Sequence, residues 1–326
     1  MRLVTYTHSG MKPRAGALVD GDRFVLDLAG ADRALYGGDN ADFLSLLALI
    51  EAGDDAFDRA ADIVKRAPDA ALTPRAAVAL LAPLQPPPQM RDCMCFETHI
   101  RQSYAAARQI RARAKGQAPM ETGESPLEQR ILKLFDQQPL YYKGNRFSVI
   151  GTDQDVLWPS YSNALDFELE FGCYIKRAAK DVPKDKARDF IFGYTIFNDF
   201  SARDTQSVEM AGQLGPAKSK DFDTGSAMGP CLVTADELSD PYALEMIARV
   251  DGEEWGRGNS ASMRWTFEDL IAFISRSETL HPGEFLGSGT VGNGCGLEHL
   301  RFLKPGNIVE LEVEGIGLLR NRVVRP

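Results

Sequence analysis

Hydrophobic and polar positions alternate in short stretches along most of this chain, and that alternation is typical of a protein built mainly from β-strands. After residue 140, strand-like stretches are predicted at 147–150, 156–158, 165–175, 192–197, 231–234, 244–251, 286–291 and 308–319. Helical spacing occurs in that part only at 178–191 and at 266–276, where Thr266 is a candidate N-cap. Many strands with few helices indicate a mixed α+β, mainly β fold with a roll or barrel-like sheet, and not alternating βαβ units.

The first 82 residues follow a different pattern, with short strand-like stretches first and helix-like stretches after them. The proline-rich sequence at 81–90 predicts an extended connector between domains. We therefore predict a small N-terminal accessory domain at 1–82, a linker at 83–88 and a larger domain at 89–326. A chain of 326 residues is long enough for one large and one small domain.

A helix is predicted to begin near Glu97 or His99, and a polar sequence rich in Gly and Pro follows at 115–140. That sequence predicts a long loop, and loops of such length within a compact domain commonly have a function. We therefore predict that residues 115–140 form a lid over a ligand site.

Three acidic residues share one face of the predicted strand at 165–175, since Asp166, Glu168 and Glu170 alternate there with large apolar residues. Like charges at such spacing repel unless water or a cation screens them. The apolar stretch at 192–197 ends just before Asp199, which could bring a further carboxylate to the same place. Carboxylate oxygens are the ligands that Mg²⁺, Ca²⁺ and Mn²⁺ prefer.

The same alternation recurs near the end of the chain, where Glu310, Glu312 and Glu314 follow one another at every second position. A solvated acidic face over an apolar core explains either strand equally well. The surroundings separate the two, because the first strand is followed by a sequence dense in Asn, Asp, Arg and Gln at 198–206 and the second by a basic tail.

Composition narrows the class of protein. The apolar fraction of 44% and the charged fraction of 25% are ordinary for a globular protein. A net charge of −9 argues against nucleic acid or an anionic membrane as partner. The chain shows no secretion signal and no membrane-spanning apolar stretch, which predicts a cytoplasmic protein. Its scattered cysteines predict reduced thiols and neither disulfides nor a zinc site: Cys93, Cys95, Cys173, Cys231 and Cys295.

Further candidate residues lie outside the acidic strand. His99 lies at a predicted helix start, and Lys220 lies in a loop rich in Gly and Pro. The glycine-rich sequence at 286–300 matches no nucleotide-binding loop, but it could approach a ligand closely, with Thr290 as a polar tip and Glu298 as a carboxylate. Each of these residues also has an ordinary structural explanation, and no serine-hydrolase elbow is present.

Four motifs occur in a fixed order: DFELEFG at 166–172, GYTIFNDFSARDTQ at 193–206, LGPAKSKDFDT at 214–224 and GSGTVG at 287–292. Together they resemble the fumarylacetoacetate hydrolase family, and most of all its longer bacterial members and fumarylacetoacetase. The resemblance covers 89–326, and the first 82 residues are similar to the small N-terminal domain of that family.

The resemblance implies a role for each matching position. The carboxylates that match the divalent-metal ligands, for Mg²⁺ or for Mn²⁺ or Ca²⁺, are Asp92, Glu168, Glu170 and Asp199. His99 matches the general base, and Glu298 matches the acid that orients it. The groups that hold substrate oxygens and the departing carbanion are matched by Arg203, Gln206 and Lys220. Substrate-contacting hydroxyls are expected at Tyr142, Thr224 and Thr290.

The function implied by this resemblance is metal-dependent hydrolysis of a carbon–carbon bond in a 1,3-diketo acid. A keto-acid decarboxylase, hydratase or tautomerase on the same scaffold is the alternative, and a non-catalytic binding protein is a further one. Cys93 and Met94 replace an aromatic pair of the family, which leaves the substrate open. The resemblance also implies a homodimer, and Trp265 and Phe267 are candidate interface residues.

Overall fold

The computed structural model describes residues 1–8, 10–114, 116 and 123–326. In chain order the strands are β1 (Arg2–Thr7), β2 (Arg14–Val19), β3 (Phe24–Asp27), β4 (Leu72–Pro74), β5 (Ala79–Leu81), β6 (Met90–Met94), β7 (Leu140–Lys143), β8 (Val149–Ile150), β9 (Asp155–Leu157), β10 (Leu165–Asp166), β11 (Leu169–Ile175), β12 (Ile191–Asp199), β13 (Ser201–Ala202), β14 (Ser226–Thr234), β15 (Glu245–Val250), β16 (Glu253–Asn259), β17 (Phe285–Gly287), β18 (Ile308–Val313) and β19 (Gly317–Val324). The α-helices are α1 (Leu28–Tyr36), α2 (Leu46–Ala52), α3 (Asp54–Arg66), α4 (Glu97–Ala114), α5 (Pro126–Gln137), α6 (Arg203–Glu209) and α7 (Phe267–Ile274). The prediction of a mixed, mainly β protein is confirmed.

A large sheet of twelve strands runs through the molecule in the order β4-β3-β2-β1-β14-β12-β11-β17-β6-β7, with β5 beside β1 and β8 beside β14. Its outer strands β4 and β7 do not pair with each other in the described part of the chain, so the roll or barrel-like sheet that we predicted is open and is not a closed barrel. The reason is the antiparallel pairing of β1 with β14, through which the N-terminal strands extend the sheet.

A second sheet has the order β16-β15-β18-β19-β9, and its strands β18 and β19 pack against β12 and β14 of the large sheet. The hydrophobic core lies between these layers, and both faces of β11 and β12 are buried along their whole length. This explains why the acidic alternation at 166–170 does not mark a solvated face: the carboxylates lie inside the protein.

The acidic strand near the C-terminus behaves as the simpler explanation predicts. In β18 every second residue is buried, and the acidic residues between them are partly exposed. Glu312 pairs with Arg249 at 2.7 Å, and Glu310 pairs with Arg320 at 3.5 Å. Glu310 and Glu312 are therefore neutralised by arginines on neighbouring strands and need no cation.

The first 82 residues contribute β1–β5 and α1–α3, and they share a sheet and a hydrophobic core with the rest of the chain. Leu3 and Leu26 pack in the same cluster as Tyr174 and Phe285. Between β5 and β6, residues 83–88 contain no helix or strand. The domain boundary at 83–88 stays a prediction.

Two helix predictions had opposite outcomes. The helix expected at 266–276 is α7, and Thr266 caps it by accepting the backbone N–H of Asp269 at 3.3 Å. The helix expected at 178–191 is wrong, because only a 3-10 helix at Lys184–Phe190 forms there. Asp181 has a φ of 51°, and Pro183 follows it, so a regular helix cannot pass through this point.

The long loop predicted at 115–140 contains a helix, which corrects that expectation. α5 starts with a capping box in which Ser125 accepts the backbone N–H of Glu128 at 3.3 Å, and the buried Glu128 carboxylate pairs with Arg108 of α4. Lys115 and residues 117–122 lie outside the described residues, so the lid stays a prediction.

Of the two candidate interface residues, Phe267 is corrected, whereas the role of the half-buried Trp265 stays a prediction. Phe267 is fully buried in the core of its own chain, with its ring centroid 5.1 Å from that of Phe171. The indole N–H of Trp265 donates to the backbone oxygen of Phe135 at 2.8 Å. Phe267 is therefore unavailable to a second subunit, and the homodimer itself stays a prediction.

Two predictions from composition can be compared with the structure. All five cysteines have free thiols and all are buried, as expected for a protein without disulfides. Among the helices of the described residues, none has the length and apolar character needed to cross a bilayer.

Candidate metal centre and active site

The predicted site residues lie at one end of the central strands of the large sheet. Strands β12, β11, β17 and β6 are neighbours in that order, with Asp199 at the end of β12, Glu170 in β11 and Asp92 in β6. Gly287 of β17 is paired with Asp92, and a side chain there would come within 2.6 Å of Oδ1 of Asp92. The glycine therefore leaves room for carboxylates from neighbouring strands to approach one another.

Asp92, Glu170 and Asp199 form a compact cluster of buried carboxylates, and one oxygen of each lies within 4.8 Å of those of the other two. Thr290 Oγ1 donates to Oε1 of Glu170 at 3.2 Å, whereas Oε2 of Glu170 is buried without a partner among the described residues. Burial, together with the charges of neighbouring carboxylates, raises the pKa of Glu170 well above its usual value and the pKa of Asp92 to about 7. An all-oxygen set with an unpartnered buried oxygen fits a hard divalent cation.

Glu168, the fourth predicted ligand, lies beside this cluster and is held by cationic side chains. Its carboxylate accepts hydrogen bonds from Nζ of Lys220 and from Nη1 of Arg203, the latter at 2.8 Å. Burial favours the protonated acid, but the charges of Lys220 and Arg203 outweigh burial and lower the pKa of Glu168 to about 2. The structure brings Glu168 to the site as a carboxylate anion, and its role as a metal ligand stays a prediction.

Lys220 places a buried positive charge beside the carboxylates. Its ammonium group contacts Glu168 and lies 2.5 Å from Oδ2 of Asp199. Burial alone would lower the pKa of Lys220, but the charges of Asp199 and Glu168 raise it above its usual value. The loop that carries Lys220 is fixed by Glu209, whose Oε1 accepts the backbone N–H of Ser219 at 3.1 Å. The lysine is therefore a fixed cation.

His99 and Glu298 form a hydrogen-bonded pair, with Nδ1 of His99 at 2.9 Å from Oε1 of Glu298. The other oxygen of Glu298 accepts the backbone N–H of Cys295 at 3.0 Å, and the Glu298 side chain is fully buried. A carboxylate next to Nδ1 keeps the proton on that nitrogen, so Nε2 is left as an acceptor. Oγ of Ser103, one turn further along α4, lies 3.2 Å from Nε2.

Asp166 was named as part of the acidic alternation but was given no role, and the structure shows that it is a buried anchor. Oδ1 accepts the backbone N–H of Gly296 at 2.8 Å, and Oδ2 accepts that of Leu297 at 2.9 Å. Nε of Arg203 donates to Oδ2 at 2.8 Å. Asp166 thus holds the turn that leads directly into Glu298.

The predicted strand is interrupted between β10 and β11, and this interruption explains why the three alternating acids have different surroundings. Asp166 lies in β10 and pairs with β13. Glu168 lies between the two strands and forms an isolated backbone β-bridge to Cys295. The signal in the sequence was the alternation itself, which marked Asp166 together with Glu168 and Glu170. The alternation could not show that Asp166 binds backbone N–H groups.

A cavity of about 130 Å³ brings most of the predicted residues together. Those that line it are Asp92, His99, Tyr142, Glu168, Gln206, Lys220 and Thr290. The hydroxyl of Tyr142 donates to Asp199, and Cys93 and Met94 also line the cavity. Four other predicted residues lie behind the lining and are not part of it: Glu170, Asp199, Arg203 and Glu298. Arg203 bonds to the lining residues Glu168 and Gln206, the latter through Oε1 at 3.0 Å.

Thr224 is the one predicted site residue that the structure places elsewhere, which corrects its expected contact with substrate. Its hydroxyl accepts the backbone N–H of Leu157 at 2.7 Å, beside β9. With a φ of 68° at Thr224, the backbone turns between the Lys220 loop and β14 and takes the side chain away from the cavity.

Sequence comparison agrees with the geometry. Residues 105–324, more than half of the chain, match the family model described as fumarylacetoacetate (FAA) hydrolase C-terminal, which leaves Asp92 and His99 outside the matched segment. A Burkholderia lata protein that carries a provisional hydrolase name is 38% identical over 183 residues, covering 56% of this chain and 64% of that protein. The chain thus spans less than two thirds of the length of this relative.

Structural comparison extends over the whole chain. A 5-carboxymethyl-2-hydroxymuconate delta-isomerase from Mycobacterium smegmatis has a TM-score of 0.67 at 25% identity and covers 100% of both chains. Maleylpyruvate hydrolase from a Sphingobium species, solved with manganese(II) and pyruvate, has a TM-score of 0.71 at 21% identity and covers 100% of this chain and 99% of its own. At that identity the second likeness shows the fold alone. Because the family model matches residues 105–324, this chain belongs to the fumarylacetoacetate hydrolase family.

Proposed function

We propose that this protein is a divalent-metal-dependent hydrolase that cleaves a carbon–carbon bond in a 1,3-diketo acid of the acylpyruvate or fumarylacetoacetate type. The observation that carries the proposal is that one cavity is lined by Asp92 of the oxygen-ligand cluster, by His99 of the His–Glu pair and by the buried Lys220. The cavity of about 130 Å³ is smaller than the ~300–1,000 Å³ of typical drug-sized sites, which favours a compact acid.

Asp92, Glu170 and Asp199 would hold the ion, either Mg²⁺ or Mn²⁺, with Ca²⁺ as a further candidate. When bound, a divalent ion supplies positive charge that polarises a carbonyl oxygen and makes the leaving enolate more stable. The ammonium group of Lys220 adds a fixed charge of the same sign on the same side of the cavity. Preorganised charge of this kind stabilises developing negative charge at no further cost in reorganisation.

The His99–Glu298 pair supplies the base. Nε2 of His99 takes a proton from water, and Glu298 stabilises the imidazolium that forms. The hydroxide attacks a carbonyl carbon of the diketo acid. The bond between that carbon and the central carbon then breaks, and its electron pair passes to the enolate of the departing keto acid. Return of the proton from His99 to the central carbon gives a carboxylic acid and a keto acid.

Isomerisation of a related unsaturated keto acid is the second candidate, and it is favoured by the isomerase from Mycobacterium smegmatis that covers the whole chain at 25% identity. His99 could move a proton between two carbons without any water, and decarboxylation, hydration or tautomerisation would use the same groups. The Glu298 partner favours hydrolysis, because a carboxylate on Nδ1 strengthens His99 as a base toward water. A purely binding role is disfavoured by the free-energy cost of keeping so many charges buried.

The test is turnover of a panel of diketo acids in ¹⁸O-labelled water, with and without a chelator, and with products identified by mass spectrometry. Hydrolysis incorporates one labelled oxygen into the released carboxylic acid, whereas isomerisation incorporates none. The exposed His281 gives a matched control, because His281→Ala should keep the activity that His99→Ala loses. Unchanged turnover in excess chelator, or in His99→Ala, would contradict the proposal.

A further inference from the structure

A third side chain lies against the His–Glu pair. Cys295 is fully buried, and its sulfur, a nitrogen of His99 and an oxygen of Glu298 all lie within 4.8 Å of one another. The cysteine is fixed by its backbone, which donates to Oε2 of Glu298 at 3.0 Å and bridges to Glu168. The proposed hydrolysis gives this thiol no role.

We propose that His99, Cys295 and Glu298 form a second metal site, one for a borderline-soft ion such as Zn²⁺, and that occupation of this site inhibits the enzyme. Zinc prefers nitrogen and sulfur ligands, whereas the carboxylate cluster offers only oxygen. The two sites therefore differ in the kind of ion that they select. The inhibitory part of the proposal rests on the function proposed above, and the existence of the site does not.

The spacing suits zinc after a small contraction. Zinc bonds of about 2.0–2.3 Å in tetrahedral geometry place neighbouring ligand atoms about 3.3–3.6 Å apart. The Nδ1–Oε1 distance of 2.9 Å is already slightly shorter, and the sulfur must approach by about 1 Å from the 4.8 Å limit. His99 lines the cavity, so a water molecule on that side can complete the four-coordinate set.

Inhibition follows from the chemistry of imidazole. If Nδ1 binds the ion, the single proton of neutral His99 must lie on Nε2, which then donates and no longer accepts. If Nε2 binds the ion, its lone pair is used directly. His99 cannot take a proton from water in either state. Binding also displaces the proton of the Cys295 thiol, because the thiolate is the ligand.

The test uses Co²⁺ as a spectroscopic probe and Zn²⁺ as the inhibitor, on the full chain with saturating Mg²⁺ to occupy the carboxylate cluster. The wild-type protein should show a thiolate-to-cobalt charge-transfer band. It should also bind Zn²⁺ at the His99–Cys295–Glu298 site in addition to the ion in the carboxylate cluster. Cys295→Ala should lose the band and weaken Zn²⁺ binding by at least about tenfold, since even outer-shell partners of zinc ligands affect affinity by about 10–100-fold. The control is Cys231→Ala. Cys231 is another buried cysteine, and its thiol contacts the backbone oxygen of Ile316 and is not part of the proposed site.

Zinc sensitivity is expressed for each variant relative to its own rate in Mg²⁺ alone, so that a change in basal rate does not confuse the result. Cys295→Ser, which keeps the side-chain size, repeats the measurement if the alanine variant is unstable. A wild-type protein without the band, or a band that persists in both Cys295 variants, would overturn the site. A band that depends on Cys295 without inhibition of turnover would overturn the inhibitory role. Failure to turn over any diketo acid would refute only the proposed function.

Discussion

Replacing Asp166 by asparagine tests whether this residue organises the site from behind. The carboxylate is fully buried and accepts two backbone N–H groups of the turn before Glu298 and the Nε–H of Arg203. Asparagine keeps one accepting oxygen and places an NH₂ donor where the other was. If that donor replaces Oδ2, it faces the donors of both Leu297 and Arg203, and neither orientation of the amide satisfies all three groups.

The magnitude follows from the burial of the pair. Side-chain exposure is 0% for Asp166 and 6% for Arg203. Breaking a buried ion pair by removing one partner costs about 3–5 kcal/mol of unfolding free energy. The lost backbone hydrogen bonds to a charged acceptor, at about 1.5–3 kcal/mol each, belong to the same change and are not added to it. We expect Asp166→Asn to lower the free energy of unfolding by about 3–5 kcal/mol.

The activity should fall as well, because Glu298 would lose its fixed position and His99 its orientation. A misplacement of about 1 Å commonly costs about 10²-fold in rate, and this loss should appear in kcat more than in KM. Denaturant titration measures the stability, and steady-state kinetics on the substrate found in the diketo-acid panel measures the rate.

The matched control is Glu312→Gln, a carboxylate from the second acidic alternation that pairs with Arg249 at 2.7 Å on a partly exposed strand. Exposed pairs contribute about 0–1 kcal/mol, so this variant should remain close to the wild-type protein. If Asp166→Asn were no more destabilising than Glu312→Gln, the anchoring role of Asp166 would be refuted.

Four further outcomes are expected. Glu170→Gln should abolish Mn²⁺ binding, measured by electron paramagnetic resonance, while Glu310→Gln should leave it unchanged; equal binding by both variants would exclude the carboxylate cluster as the metal site. His99→Ala should lower turnover by about 10²–10⁴-fold with Mn²⁺ binding retained, and combining it with Glu298→Gln should add little because the two residues act as a unit; multiplying losses would contradict this pairing. Burial and the Asp199 charge raise the pKa of Asp92 to about 7, and only the deprotonated acid binds an ion, so Mn²⁺ affinity should fall by about tenfold for each pH unit below that value. An affinity that stays constant as the pH is lowered through this range would show that Asp92 is not a ligand. The chain should sediment as a homodimer at micromolar concentration, and a monomer alone would contradict the resemblance on which that expectation rests.

The sequence predicted the members of the site better than their partners. Glu170 and Asp199 were found because a carboxylate in a strand or at a strand end must face something, whereas Asp92 was found from the family resemblance alone. In the structure the three carboxylates face one another. The separate surroundings of Asp166 and Glu168 could not be predicted, because they depend on the interruption of the strand between β10 and β11 and on contacts with residues 30 or more positions away. Local patterns carry no information on such contacts.

For the large sheet, the sequence predicted that it is built from many strands but not the order of those strands. Alternating positions and short apolar stretches identified most of its members, although strands such as β11 and β12 are buried on both faces. The order of the strands and the open edge depend on pairings between distant segments, such as Leu3 with Leu232, which no local pattern specifies. The predicted substrate contact of Thr224 was wrong for a local reason. Its positive φ is set by a tight turn that the Gly-rich sequence around it allowed but did not require.

The pairing of β1 with β14 has a consequence for synthesis of the protein in the cell. Arg2 is partnered by Val233, so during synthesis β1 waits for more than 200 further residues before its neighbour β14 exists. At about 5–20 residues per second this delay is roughly 10–45 seconds. Throughout that time the Arg2–Leu3 end of β1, which β5 does not cover, has no partner on one side, and an open edge of this kind is prone to pair with other chains. We expect chaperones to protect the newly made β1 segment, and we expect the sheet to form more slowly than a helical protein of similar size because its pairings join distant segments.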